Sequence, residues 1–238
     1  MVILVSGSGR LTSVTIGDPA YRMLNSCLDH GSSTHIGTIC SKLCYRDPMP
    51  RPRSFDEDRA VDAAMHAFWR AGYEATSTED LCAATGLGRS SIYNTFTSKR
   101  DLFSRALRRY MTTKNAATFD LLDSETQVRA KIRALLWQIV EAPDEDPPGC
   151  LVVNSTIELA PRDAELAAVL TADHQRRLAV LTDVFETARR AGEIAPNKEP
   201  TSLAHFVIAT IGGMRVAARG GADRETLAAI ATTALDAL

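Results

Sequence analysis

The stretch from Thr76 to Lys99, T-S-T-E-D-L-C-A-A-T-G-L-G-R-S-S-I-Y-N-T-F-T-S-K, admits few folds. It holds two short helical patterns separated only by Gly86-Leu87-Gly88, a spacing too tight for most arrangements other than a helix-turn-helix. The first pattern opens at Ser77 or Thr78, whose hydroxyls suit a helix cap, with Glu79 and Asp80 near its electropositive end. It ends at Gly86. The second begins past Gly88 and sets Ile92 and Phe96 four residues apart, on one face. Its other residues, Arg89, Ser90, Ser91, Tyr93, Asn94 and Thr95, are donors and acceptors of the kind that meet phosphates and base edges.

The flanking residues extend this unit. A helix is expected from Phe55 to Ala71, opened by a capping box of Ser54 with Glu57 and carrying Val61, Met65, Phe68 and Trp69 on one stripe, with Gly72 ending it. Ser98 with Asp101 is a further capping signal, opening a longer helix that bears Leu102, Phe103, Ala106, Tyr110 and Met111. Four helices within about sixty residues make a compact DNA-binding unit, expected to span 51–111. Net charge is −2 for the whole chain, but it is uneven: +1 over residues 1–50, +3 over 51–115 and −6 over 116–238. The basic excess accompanies the helix-turn-helix, with Arg51 and Arg53 before it and Lys99, Arg100, Arg105, Arg108 and Arg109 after it. Such a run reads either as a nucleic-acid surface or as a solvated helix face.

From residue 112 to 238 the pattern is helical nearly throughout, so the fold class expected is all-α. Val128, Ile132, Leu135, Leu136, Ile139 and Val140 trace one amphipathic helix, stopped by the run 142–149, A-P-D-E-D-P-P-G. Cys150 to Ala160 resumes a helix that Pro161 ends, and Leu166, Leu170, Leu178, Leu181, Phe185 and Ala188 mark a long one closing at Gly192. In the last two helices, Leu203, Phe206, Val207, Ile208, Ile211 and Met214 make the first apolar over much of its circumference, and Gly212-Gly213 allows close backbone approach. Leu227, Ile230, Ala231, Ala234, Leu235 and Leu238 line the second. So much apolar surface calls for cover, from the core or from a second subunit, and the reading favours the subunit.

Residues 1–50 show no sustained period and are expected to be a poorly ordered extension, with Met49 or Met23 as the natural start. Five cysteines, an odd number, do not form a disulfide framework. Cys27, His30, His35, Cys40 and Cys44 are metal-binding types, but their spacing fits no zinc signature, so neither metal nor cofactor is expected. No apolar run approaches the ~18 residues of a membrane span, and M-V-I-L-V is too short for a signal-peptide core. A cytoplasmic location without membrane contact is expected.

The run from Gly72 to Phe103 closely resembles the DNA-binding signature of TetR-family transcriptional regulators, with Gly72, Thr76, Ser77, Gly86, Tyr93, Phe96, Lys99 and Leu102 matching in order and spacing. The resemblance implies that Thr76 or Thr78, Tyr93 and Lys99 touch phosphates, while Arg89, Ser90, Ser91 and Asn94 face the major groove; Thr95 is grouped with them. It implies a homodimer formed through the last two helices, a double-stranded pseudo-palindromic operator, a small-molecule effector bound in the 112–238 domain, and repression relieved by that effector.

Trp137, Cys150, Asn154, Phe185, Phe206 and Met214 are the residues proposed to surround the effector, being aromatic, soft or polar side chains on the relevant helices. A thiol-based redox sensor through Cys150 is one alternative. An enzyme using Cys150, Glu158, Asp163 or His174 is the other; none of these sits in a nucleophile or metal spacing, and no enzymatic activity is expected.

Overall fold

The computed structural model describes residues 2–5, 11–14, 56–124 and 126–238, in two compact units that divide after Ser54. In the first unit, β1 (Val2–Val5) and β2 (Leu11–Val14) pair antiparallel, Val2 opposite Val14 and Val5 opposite Leu11. The hairpin was not foreseen from the sequence. The cysteine and histidine set of residues 27–44, the proposed starts at Met23 and Met49, and Arg51, Arg53 and Ser54 lie outside the described residues.

The second unit is all-α among its described residues. Its first helix, α1 (Glu57–Ala71), is capped by Asp56, whose Oδ1 accepts from the N–H groups of Asp58 at 3.0 Å and Arg59 at 3.4 Å. The sequence placed this cap at Ser54. Both residue types cap helices, and the choice between neighbours depends on where the first turn packs. The helix-turn-helix follows as α2 (Thr78–Thr85) and α3 (Arg89–Thr95). Ser77 and Asp80 form a reciprocal capping box at the start of α2, with bonds of 3.1 and 2.8 Å. Gly86 ends α2 at φ 69°, the left-handed conformation in which a side chain is strained.

Ser98 then caps α4 (Lys99–Leu122) by accepting from Asp101 N at 3.0 Å, as its capping pattern implies. This helix runs unbroken through residues 111 and 112, where a domain boundary was expected. One hydrophobic core unites Phe68, Trp69, Leu81, Ile92, Phe96 and Phe103 with Leu151, Leu159, Leu166 and Leu170 from the C-terminal part. The helix-turn-helix thus packs on a core that residues of the C-terminal helices help to close.

The remaining helices are α5 (Val128–Val140), α6 (Leu151–Glu158), α7 (Ala164–Arg190), α8 (Pro200–Arg219) and α9 (Arg224–Asp236). Ile132, Leu136, Phe185, Ala204, Met214 and Ala231 centre a second core among α5, α7, α8 and α9. Carboxylates cap three of these helices, Asp163 on α7, Glu199 on α8 and Asp223 on α9. Backbone N–H donors hold each of the three below its ordinary range: Leu166 for Asp163, Thr201 and Ser202 for Glu199, Thr226 for Asp223. By length and composition alone α8 is apolar enough to cross a membrane, with mean hydropathy 1.2 over 18 residues, which corrects the sequence reading that no stretch comes close. It packs against α7 and α9, although only 22% of that window is buried within the chain.

Candidate nucleic-acid interface and the cavity behind it

Burial decides which helix-turn-helix residues are free to meet a ligand. Ile92 and Phe96 turn inward, 1% and 0% exposed, and so set the facing of α3. Arg89, Ser90, Tyr93 and Asn94 are exposed; Ser91 and Thr95 are half-buried beside them. One short helix thus presents a guanidinium, hydroxyls and a carboxamide to solvent, groups able to read base edges or anchor phosphates. Tyr93 OH lies 3.0 Å from Thr78 Oγ1, which joins the start of α2 to the outer face of α3. Arg89 reaches Glu79 only at 3.9 Å, with both side chains more than two-thirds exposed, a pair worth little in water.

Thr76 does not belong to this surface. It is 1% exposed and its hydroxyl donates to Gly72 O at 2.6 Å, satisfying a carbonyl just past the end of α1. Of the two threonines offered for phosphate contact, only Thr78 is within reach of solvent, half-buried with its hydroxyl 3.0 Å from Tyr93 OH. Lys99 is half-buried, its Nζ 3.3 Å from Glu74 O and 4.5 Å from the centre of the Tyr73 ring.

The basic run of α4 resolves the other way. Arg105 pairs with Glu57 at 2.6 Å and Asp101 at 3.2 Å, and Arg109 with Asp58 at 3.1 Å and Asp62 at 3.0 Å. These guanidiniums fasten α4 to α1. Arg100 grips Asp163 through Nε and a terminal nitrogen, each at 2.7 Å. Apart from the Arg105–Asp101 pair, four residues apart, these partners lie 47 to 63 residues away in the chain and could not be read locally.

Two further ties cross from the C-terminal helices to the end of α1 and the turn that leads into α2, and neither was foreseen from the sequence. Glu158, at the end of α6, accepts from Tyr73 N at 3.0 Å and Glu74 N at 2.7 Å. Gly72 makes room for it: φ is 89°, and a Cβ there would stand 3.0 Å from Glu158 Oε2. Arg219, at the end of α8, donates to Trp69 O and Arg70 O, each at 3.4 Å. Glu158 and Asp163, named among possible catalytic groups, are thus occupied as backbone acceptor and as helix cap with ion pair.

Behind the interface lies a cavity of about 1060 Å³, walled by α4 to α8 and the 142–150 loop. Of the six residues proposed for it, Trp137 and Cys150 line it. Asn154, Phe185, Phe206 and Met214 do not. Phe185 and Met214 are fully buried in the second core, and Phe206 is 40% exposed on α8. Asn154 is half-buried, its side-chain nitrogen shielded from water and without a partner among the described residues. A helical pattern marks which residues are apolar but not which side of the helix meets the gap. The wall also holds Tyr110, Lys114, Asp173, His174, Arg177 and Arg215. Arg215 had a legible signal, a lone cation in an otherwise apolar stretch of α8. Tyr110 OH donates to Cys150 Sγ at 3.6 Å, and burial first, then the adjoining thiol, raises that phenol well above the usual tyrosine range. His174 and Cys150 share the wall, and no bond joins them. Among the described residues no group of three His, Cys, Asp or Glu could hold a metal ion.

Comparison with known proteins accounts for both halves. The family model described as "Bacterial regulatory proteins, tetR family" matches residues 60–106, and "Tetracyclin repressor-like, C-terminal domain" matches 127–234. The HTH-type transcriptional repressor ComR of Escherichia coli (strain K12) is 35% identical over 199 residues, 82% of this chain and 94% of its own. The chain belongs to the TetR family. As in that family, an N-terminal helix-turn-helix is joined to a helical C-terminal domain. The HTH-type transcriptional repressor BdcR of the same organism is 27% identical, covering 79% of this chain and 91% of its own. A cysteine-substituted TetR-family regulator, CifR, solved with 26-base-pair double-strand operator DNA, superposes with TM-score 0.71 at 31% identity, covering 79% of this chain and 98% of that one. This TetR-family protein is accordingly a DNA-binding transcriptional regulator.

Proposed function

We propose that this TetR-family protein is a cytoplasmic repressor that binds a pseudo-palindromic operator as a homodimer and leaves it when a small molecule enters the cavity behind the helix-turn-helix. The observation that carries this reading is the outward face of α3, where Arg89, Ser90, Tyr93 and Asn94 are exposed while Ile92 and Phe96 hold the helix on the core. Arg89 and Asn94 have the chemistry to read guanine and adenine, and Thr78, Tyr93 and Lys99 to hold phosphates. A single such helix buries too little to specify a genomic site, so two are needed, about 34–36 Å apart.

The dimer is proposed to form through α8 and α9. Phe206, Ala209, Gly213 and Val216 are exposed at three- and four-residue spacing, a seam along α8, and a Cβ on Gly213 would meet nothing within 4 Å inside the chain. A second copy is the natural cover for that seam. Since α8 also walls the cavity through Ile208, Ile211 and Arg215 and reaches α1 through Arg219, a ligand that shifts it alters both the dimer geometry and the footing of the helix-turn-helix. Cys150 keeps its place in the wall, with its sulfur accepting from Tyr110, and serves this reading as a pocket residue.

Genomic fragments bound by the purified protein supply the operator, and fluorescence anisotropy then compares variants on it. Arg89→Ala relaxes base preference and costs about 1–3 kcal/mol on the best site, whereas Lys99→Ala weakens all sequences alike and reduces the salt slope by about one. Unchanged affinity and preference in both variants would overturn the placement of α3.

A further inference from the structure

The cavity wall carries three cations and three carboxylates: Lys114, Arg177 and Arg215 against Glu141, Asp146 and Asp173. Four of the six compensate each other. The Asp173 side chain, 8% exposed, accepts from Asn115 Nδ2 at 2.6 Å and stands 3.1 Å from Arg177 Nε. Lys114 Nζ is 3.7 Å from Asp146. Glu141 sits exposed at the end of α5, where water solvates it. Arg215 is left. It is half-buried one turn before the end of the apolar helix α8, and among the described residues it has neither an ion pair nor a hydrogen bond to an acceptor side chain.

Its surroundings sharpen the contrast. Arg215 is near enough to Tyr110 to favour the phenolate, yet burial outweighs it, so Tyr110 stays a neutral hydroxyl. The Leu151 N–H lies on its accepting side, while the bond it donates goes to the Cys150 sulfur, a weak acceptor that a better one can replace. Arg177 Nε repeats the pattern: it is shielded from water and, though within ion-pairing distance of Asp173, lacks hydrogen-bond alignment with it. The wall is thus rich in donors short of acceptors. The rest is apolar, with Phe119, Leu135, Trp137 and Leu181 among its residues. The volume is that of a site for a drug-sized molecule.

We infer that the cavity takes an amphipathic organic anion, a carboxylate or sulfonate head seated on Arg215 beside Tyr110, with an apolar body against Phe119, Trp137 and the leucines. A guanidinium partly removed from water gains most from an oxyanion that offers two oxygens to its paired N–H groups. A neutral ligand of the same body would leave Arg215 as it is. A cationic one would meet Arg215 with Asp146 and Asp173 already paired and Glu141 out in water. The inference rests on the reading of this cavity as the effector site.

The test is isothermal titration of the full chain with decanoate, decan-1-ol and decylamine, three heads on one body. Decanoate binds at least about tenfold more tightly than decan-1-ol, the range of a charged hydrogen bond. In Arg215→Gln that preference disappears while the decan-1-ol affinity is kept, and Arg215→Lys, which retains the charge, keeps part of it. Equal affinity for acid and alcohol, preference for the amine, no decanoate binding, or an undiminished acid preference in Arg215→Gln would each overturn the inference. Should Arg215→Gln fail to fold, judged by its thermal melt, the three-head comparison on the parent decides alone. Operator release is followed separately by anisotropy. Decanoate that binds without releasing DNA refutes the release mechanism and leaves the ligand class standing.

Discussion

Glu158→Ala tests the tie between the C-terminal helices and the helix-turn-helix. The wild-type carboxylate accepts two backbone N–H groups, Tyr73 N at 3.0 Å in a half-buried setting and Glu74 N at 2.7 Å in an exposed one. A hydrogen bond to a charged group contributes ~1.5–3 kcal/mol when shielded, and the exposed one is discounted to under about 1 kcal/mol because water replaces the lost acceptor. The sum is about 2–3 kcal/mol. With a urea m-value near the upper end of ~1–3 kcal/mol/M for a chain this long, the midpoint falls by about 1 M at fixed protein concentration. Glu158→Gln keeps one acceptor oxygen and loses about half as much. Operator affinity falls in the same order, because the Tyr73–Glu74 turn leads directly into α2. Urea unfolding followed by circular dichroism, with anisotropy on the operator, measures both. An alanine variant with an unchanged midpoint, or a glutamine variant as damaged as alanine, would refute the argument that these two bonds hold the turn.

Other perturbations separate surface from scaffold. Tyr93→Phe removes a hydroxyl bonded only to Thr78 at an exposed site, so the thermal midpoint moves within the ±0.5 kcal/mol expected of surface changes, while operator affinity drops about five- to tenfold. Val216→Asp combined with Phe206→Asp places two charges on the exposed seam of α8; light scattering then reports a monomer that keeps its helical spectrum. Four depressed carboxylates, Asp80, Asp163, Glu199 and Asp223, contribute to acid sensitivity. Their pKa values are lower folded than unfolded, so their stabilisation is complete above the ordinary carboxylate range and is lost as pH falls through the lowered values. The melting temperature is therefore level from about pH 7 to 5 as far as these groups act and falls below about pH 4, and Asp223→Asn, which keeps a capping acceptor, removes its share of that fall.

What local chemistry specifies was legible in the sequence. Ser77 with Asp80, Ser98 with Asp101, the left-handed Gly86 and the proline-rich stop after Val140 set their boundaries within a few residues of chain, because a cap or a breaker acts on the backbone beside it. The family signature rests on the same short-range pattern, so the helix-turn-helix and its outward Arg89, Tyr93 and Asn94 followed from the spacing of Ile92 and Phe96. Tertiary packing decided the rest. Thr76 and Thr78 are two residues apart and chemically alike, yet one hydroxyl closes the Gly72 carbonyl in the interior and the other meets Tyr93 outside. Arg105 and Arg109 look like a DNA-binding run until α1 brings Glu57, Asp58 and Asp62 alongside. Phe185 and Met214 match Trp137 in composition, but only Trp137 borders the cavity, since a void belongs to no single helix and arises where five of them fail to close. Arg215 is visible in the sequence as a residue, but only the packing shows that Lys114 and Arg177 have carboxylates beside them in the cavity wall while it has none.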